Sequence, residues 1–141
     1  MKRPSITVHN RQRRLTIDRI DLQSFAERAL DCCRRQKASA LAELSEIDVI
    51  VVSDRRMAQL HRRFMGVGGP TDVITFQHGE IFLSVETAKR QAASYRTSLH
   101  RELRLYLVHG LLHLAGYDDH EPAQRRRMER VQEKIVALAA G

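Results

Sequence analysis

His109 and His113 stand four residues apart in the run Leu107-Val108-His109-Gly110-Leu111-Leu112-His113-Leu114-Ala115-Gly116. The run is apolar and helix-favouring, so the two imidazoles share one helix face, about 5–6 Å apart. Two imidazoles so spaced bind a divalent metal from one side and leave the opposite side for a third ligand. Gly116 is suited to end the helix, because a left-handed residue costs glycine little. Beyond it the chain turns back and offers Asp118, Asp119 and His120. Three protein ligands with one open position is the layout of a catalytic zinc site rather than a structural one. A lone histidine here would read as a hydrogen-bonded core residue; the cluster points to a metal.

The helix that must carry these groups is apolar over most of its circumference. Leu103, Leu107, Leu111 and Leu114 form one stripe, and Leu105, Val108 and Leu112 lie on another side. Such a helix is central and buried. The histidines fall with Glu102 on the narrow face that remains, where Glu102 either orients an imidazole or is a solvated charge at the helix start. The metalloprotease pattern His-Glu-x-x-His puts its general base directly after the first histidine. That position is Gly110, so peptide hydrolysis by this route is disfavoured.

At 141 residues the chain is expected to be one domain, 1–141, with a single core. No run approaches the ~18–20 apolar residues of a membrane span, and the start Met1-Lys2-Arg3-Pro4 leads into no signal-peptide core. Adjacent Cys32 and Cys33 suit neither a disulfide nor a zinc site, and fit a cytosolic protein. The formal charge of +7 comes mainly from arginine, in runs such as Arg13-Arg14, Arg34-Arg35, Arg55-Arg56, Arg62-Arg63 and Arg125-Arg126-Arg127. Arginine suits bidentate phosphate contact. With a hydrolytic metal site, this charge points to a polyanionic substrate, most commonly nucleic acid. A genome that favours arginine, with each pair on a solvated helix face, is the plainer source of the excess.

In chain order, Ile6 to His9 reads as a first strand and Asp21 as the N-cap of a helix to about Lys37, with Leu22, Phe25, Ala26, Ala29 and Leu30 on one face. Ile47 to Val52 is β-branched and continuous, a buried central strand. Ser53 or Asp54 caps a helix carrying Met57, Leu60, His61 and Phe64. Gly66-Val67-Gly68-Gly69-Pro70 is a break without the Lys-Ser/Thr of a phosphate cradle. Asp72 to Phe76 and Glu80 to Ser84 form a hairpin through Gln77-His78-Gly79. A helix over about Val85 to Tyr95, the histidine helix, and a last helix from Pro122 with Met128, Val131, Ile135 and Leu138 on one face complete the chain. The order predicts an α+β single domain: a small mixed four-stranded sheet packed with about five helices, and the metal site on a central buried helix.

The segment His109-Gly110-Leu111-Leu112-His113-Leu114-Ala115-Gly116-Tyr117-Asp118 resembles the signature of the YbeY endoribonuclease family. Upstream, Pro70-Thr71-Asp72-Val73-Ile74-Thr75-Phe76 and Gly79-Glu80-Ile81 are similar to the family's other two recurring stretches, in the same order. With the helix containing Met128 and Glu133, the resemblance spans residues 45–136. It implies a bacterial, cytoplasmic, zinc-dependent endoribonuclease specific for single strands, acting in 3′-end maturation of 16S ribosomal RNA and in ribosome quality control. The implied partners are single-stranded RNA, especially the 16S rRNA precursor, and the small ribosomal subunit or its proteins, with no membrane.

Two positions depart from the family pattern. The family commonly reads Gly-Tyr-Asp-His, whereas Asp119 occupies that fourth position here and His120 follows it. The register to Met128 favours Asp119 as third ligand, and aspartate binds zinc competently at about 2.0–2.2 Å; ligand habit favours His120. The metal set is thus His109, His113 and Asp119 or His120, around one Zn2+. The family also usually carries arginine after an aromatic residue in the helix before Pro-Thr, and here Phe64 is followed by Met65. Arg62 and Arg63 are the nearby substitutes, taken with His109 and His113 as the catalytic candidates, and Arg127 is a further phosphate contact. Thr71, Asp72 and Thr75 either line the cleft or order the turn and strand. The alternative to an enzyme is a non-catalytic, zinc-stabilised ribosome-assembly or RNA-binding factor; a hydrolase of peptides or small molecules ranks below both.

Overall fold

The computed structural model describes residues 3–37 and 39–141. Four strands, β1 (Ser5–Asn10), β2 (Glu46–Val52), β3 (Val73–Phe76) and β4 (Glu80–Ser84), form one sheet in the order β1-β2-β4-β3. β1 and β4 both pair with β2 in parallel, and β3 closes the edge antiparallel to β4. Parallel neighbours need crossovers, which the helices provide. These are α1 (Arg19–Gln36), a single turn α2 (Ser39–Ala42), α3 (Asp54–Met65), α4 (Val85–Tyr95), α5 (Leu99–Leu114) and α6 (Pro122–Leu138). The α+β fold with a small mixed sheet is therefore as expected, α2 being the one helix that sequence periodicity missed. One turn is too short for a periodic signal.

Alternation along the strands divides the core between two faces. Ile47, Val49, Val51, Ile81 and Leu83 point to the face covered by α1 and α5, in one cluster with Phe25, Leu30, Leu107 and Leu111. Val52, Ile74 and Phe82 point the other way, onto Met57 and Leu60 of α3. β2 is central, but Asp48 on that second face stays half-buried, and its Oδ1 accepts from Nε2 of His9 at 2.8 Å.

Helix starts obey local chemistry. Asp18, not Asp21, caps α1: its carboxylate accepts from the Asp21 amide at 3.0 Å, so the helix begins a turn earlier than expected. Ser53 caps α3 and Ser98 caps α5 in the same way. The apolar faces expected for two helices are narrower in fact. Phe64 of α3 is exposed, its ring edge-on to Phe76 rather than in the core, and Leu138 of α6 is exposed while Val136 and Ala139 are buried. Both residues sit in the last turn of their helices. Cys32 and Cys33 are both buried in α1, and burial pushes the Cys33 thiol up to about 12, which leaves it inert.

α5 is the pivot, packed on β3, β4, α1, α4 and α6. Leu103, Leu107, Leu111 and Leu112 are fully buried, each worth about 1.5–3 kcal/mol relative to exposure. The close approach to the sheet depends on Gly110. A Cβ there would lie 2.5 Å from Cγ2 of Ile81 in β4. Gly110→Ala is accordingly expected to destabilise the protein by about 1–3 kcal/mol through overpacking. Helix propensity alone predicts the opposite, a gain of about 1 kcal/mol. Denaturant titration decides between them: a raised midpoint would show that the helix does not press on Ile81, and Ile81→Ala, which removes Cγ2, is expected to cost less in the Gly110→Ala background than alone.

Candidate metal centre

The end of α5 brings the third donor back to the first two. Tyr117 donates its amide to the Leu112 carbonyl at 2.9 Å, and Gly116 donates to His113 at 3.0 Å, with Gly116 at φ 101°. These two bonds form a Schellman closure and reverse the chain immediately after the helix. Asp118 then accepts from the amides of Asp119 (2.7 Å) and His120 (3.2 Å), which fixes the turn. Asp119 is thereby directed at the histidines and His120 away from them. The His120 side chain is 84% exposed and its ring faces Asp118 at 3.3 Å.

Three donor atoms form a triangle. Nε2 of His109 and Nε2 of His113 lie 3.1 Å apart, and Oδ2 of Asp119 is 3.7 Å from the first and 3.6 Å from the second. Ligands about 2.0–2.1 Å from a tetrahedral ion are separated by about 3.3–3.4 Å, so the triangle fits a zinc-sized cation on its open side. His109, His113 and Asp119 together could hold a metal ion. His120 falls instead into a second, more exposed group with Asp118 and Asp119, which does not include the histidine pair.

Hydrogen bonding prepares the two imidazoles. Nδ1 of His109 lies 2.8 Å from Oε1 of Gln132 on α6, and Nδ1 of His113 lies 3.2 Å from the Tyr117 carbonyl. Both partners only accept, so each Nδ1 carries the proton and each Nε2 presents a lone pair to the other. Two facing lone pairs at 3.1 Å repel unless a cation or a proton lies between them. His113 is held below the ordinary imidazole value, first by burial and then by neighbouring His109, with Asp119 opposing. The lowered value disfavours the proton and leaves the pair to a metal. Gln132 was invisible to motif reading: it lies 23 residues from His109, and only helix packing brings it there.

A cavity of about 170 Å3 opens beside the triangle, lined by His109, Asp119, Arg125, Met128, Glu129 and Gln132. Arg125 is the arginine on its wall, and Arg127 lines a neighbouring cavity with Lys37, Tyr117 and Asp118. Arg62 and Arg63 are exposed on α3, which packs against β4 and α4, and neither lines these cavities; the Arg63 guanidinium sits over the Phe64 ring at 5.3 Å. Met65 is exposed beside them. Glu102 takes neither role foreseen for it. It is buried, and its Oε1 accepts from the Thr97 hydroxyl at 2.9 Å rather than from an imidazole. Asp72 accepts from the Val73 amide and the Thr71 hydroxyl, and also lines a larger cleft along α5. Thr71 and Thr75 line neither cavity.

Known proteins share this arrangement of the chain. The sequence model described as Endoribonuclease YbeY matches residues 7–139. An Endoribonuclease YbeY of Frankia alni is 37% identical over 86% of this chain and 75% of its own length. One from Anaeromyxobacter is 37% identical over 86% of this chain and 72% of its own. The solution structure of a Thermotoga maritima protein superimposes with a TM-score of 0.68 at 26% identity, covering 95% of this chain and 88% of that one.

The geometry separates the two proposed third ligands by experiment. Asp119→Ala is expected to weaken Zn2+ binding at least about ten-fold, and His120→Ala by less than about two-fold. Gln132→Ala is expected to cost about ten- to a hundred-fold by freeing the His109 tautomer. Competition against a chromophoric chelator measures all three; a larger effect at His120 than at Asp119 would reverse the assignment. Because His113 is held below the ordinary imidazole value of about 6.5, its Nε2 should compete with protons for a metal only below that pH, so the His113 ring proton signals in an NMR pH titration of the metal-free protein should move only on further acidification.

Proposed function

This chain belongs to the YbeY endoribonuclease family, and we propose that it is a zinc-dependent endoribonuclease cutting single-stranded RNA, with the 16S rRNA precursor on the small ribosomal subunit as its substrate. The observation that carries this reading is the donor triangle of 3.1, 3.6 and 3.7 Å with both Nδ1 protons tied off, opening on a cavity that contains an arginine. His109, His113 and Asp119 would hold the ion. When bound it supplies Lewis acidity, polarising a phosphoryl oxygen and lowering the pKa of a bound water towards ~7.

The residues around it do the remaining work. Gln132 and the Tyr117 carbonyl hold the two rings in one tautomer, so no reorientation is needed when RNA arrives. Arg125 binds the phosphate at the cavity wall, in the bidentate manner guanidinium allows. Glu129, on the same wall and outside the donor triangle, accepts the proton of the attacking water as its oxygen bonds to phosphorus and the P–O bond to the leaving ribose oxygen breaks, and it returns that proton to the leaving oxygen. Arg127 contacts a flanking phosphate, and Arg62 and Arg63 on exposed α3 contact the strand outside the histidine cavity. Action in 16S 3′-end maturation and ribosome quality control, in the cytoplasm, follows from the family reading. No helix among the described residues is long and apolar enough to cross a membrane.

The absence of an arginine at Met65, together with the placement of Arg62 and Arg63 outside the cavity, supports one rival reading: a zinc-stabilised assembly factor that binds RNA without cutting it. Single-turnover incubation with immature small subunits carrying unprocessed 3′ ends separates the two. Zinc-loaded wild type is expected to cut and His113→Ala to lose at least about a thousand-fold in rate, a barrier change of about 4 kcal/mol. Equal cleavage by both would sink the metal mechanism, and intact binding with no cleavage by either would favour the assembly factor. Chelation is expected to lower the melting temperature under both readings, since a ligand at a hundred times its Kd adds about 2.7 kcal/mol.

A further inference from the structure

The face of α5 that carries the histidines does not end at them. Glu102, Tyr106, His109 and His113 follow at steps of four, three and four, which keeps all four side chains within a narrow arc of the helix. Tyr106 lies about 4.5 Å along the axis from His109, and Glu102 about 10.5 Å. Around the first two opens a second cleft of about 580 Å3, within the range of about 300–1,000 Å3 for small-molecule sites. Glu129 of α6 lines both this cleft and the histidine cavity, so the two are neighbours across one side chain.

The lining is a mixture of flat apolar surface and acceptors. Tyr106 and Leu105 form apolar wall, and Tyr95 stands at the rim, 69% exposed. Glu102 is 4% exposed, and its Oε1 is held by the Thr97 hydroxyl, which fixes the carboxylate. Tyr106 is 6% exposed, and its hydroxyl has no hydrogen-bond partner among the described residues. An orphaned buried hydroxyl calls for a partner that the protein itself does not provide. Burial raises the Tyr106 phenol well above its ordinary value, and the charges of Asp72 and Glu102 add to this, so the group remains a donor.

We propose that this cleft is a base-binding subsite that takes guanine from the nucleotide beside the cut, with Glu102 and Tyr106 reading its edge. The inference rests on the endoribonuclease reading above. Guanine is the base with two adjacent donors, N1–H and N2–H2, which a fixed carboxylate accepts together, beside an O6 acceptor for the phenol. Adenine turns a lone pair towards the carboxylate at N1, and neither pyrimidine offers two adjacent donors. Tyr95 gives the ring a stacking surface at the rim. A metal ion does not fit the cleft: no three of its carboxylates come within 4.8 Å of one another among the described residues. Arg101 in the cleft is already paired with Glu133 at 3.0 Å, which tempers the negative charge that a strand would meet.

Two measurements test the site separately from the chemistry. NMR titration of the zinc-loaded full chain with GMP, AMP, CMP and UMP holds the phosphate constant, so differences report the base. GMP is expected to bind about ten-fold or more tighter than the others, with Glu102→Gln removing the preference and Tyr106→Phe, which keeps the ring, reducing it. Cleavage of RNA oligonucleotides varied at each position beside the cut should show the same order in kcat/KM, with the guanine-to-adenine ratio falling towards one in Glu102→Gln. Zinc affinity of each variant, measured in parallel, reports whether α5 is intact. Equal binding of all four nucleotides, or a guanine preference unchanged by both variants, overturns the proposal. So does an arginine-rich peptide whose binding depends on Glu102 while GMP does not bind, which would make the cleft a seat for a basic protein side chain. GMP selectivity without any RNA cleavage would leave the subsite standing and remove the endoribonuclease reading; cleavage without base preference would do the reverse.

Discussion

The contact between Gly110 and Ile81 sets the height of the whole active face. With no Cβ at 110, α5 settles onto β4 until the helix backbone nearly touches the isoleucine methyl. The residue before it, His109, is then turned away from the sheet and towards α6. That orientation is what lets Gln132 reach its ring, and it leaves a space between α5 and α6 for the cavity. The same contact explains why no glutamate follows the first histidine. Position 110 faces the sheet, so a carboxylate there would collide with the core rather than approach a metal. Apart from the two histidines of α5, the groups around this site come from α6 and the turn beyond α5.

Charge is arranged at two scales. The protein as a whole is strongly basic, at +7, which draws a polyanion from a distance. The cleft along α5 is locally acidic, with Asp72, Glu102, Glu129 and Glu133 against a single paired Arg101. Between these regimes lies the donor triangle, where the two bare nitrogens and one carboxylate make a small, strongly cation-seeking point. The net charge acts over long range on any polyanion, while the acceptors of the cleft act only on groups in contact with them.

Much of the fold was legible because it is local. The β-branched run of β2, the hairpin through Gln77-His78-Gly79, α4 over Val85–Tyr95 and the proline start of α6 are all written in neighbouring residues. The four-residue histidine spacing was legible for the same reason. What could not be read depends on packing between distant segments. Asp18 replaces Asp21 as the cap because α1 starts where it meets β1 and the end of the preceding loop, not where its own acidic residues would place it. Phe64 and Leu138 have the right period to be buried, yet in the last turn of their helices both stay exposed, Phe64 with its ring edge-on to Phe76. Gln132, Arg125 and Glu129 enter the site only because α6 lies on α5. The cleft that joins Glu102 and Tyr106 of α5 to Asp72 needed the segment before β3 to meet the helix. Between Asp119 and His120 the sequence offered two ligands, and it is the Asp118 turn that separates their directions.

The donor triangle is built from a stretch of eleven residues, His109 to Asp119, and not from remote parts of the chain. A chelator that short survives when the rest of the fold is lost. A metal held by such a segment would stabilise the native state only by the difference between its affinities for the folded and the unfolded chain. Pre-ordering by Gln132 and the Gly116 closure is what creates that difference. On a nascent chain the three donors emerge together, before α6 has been made.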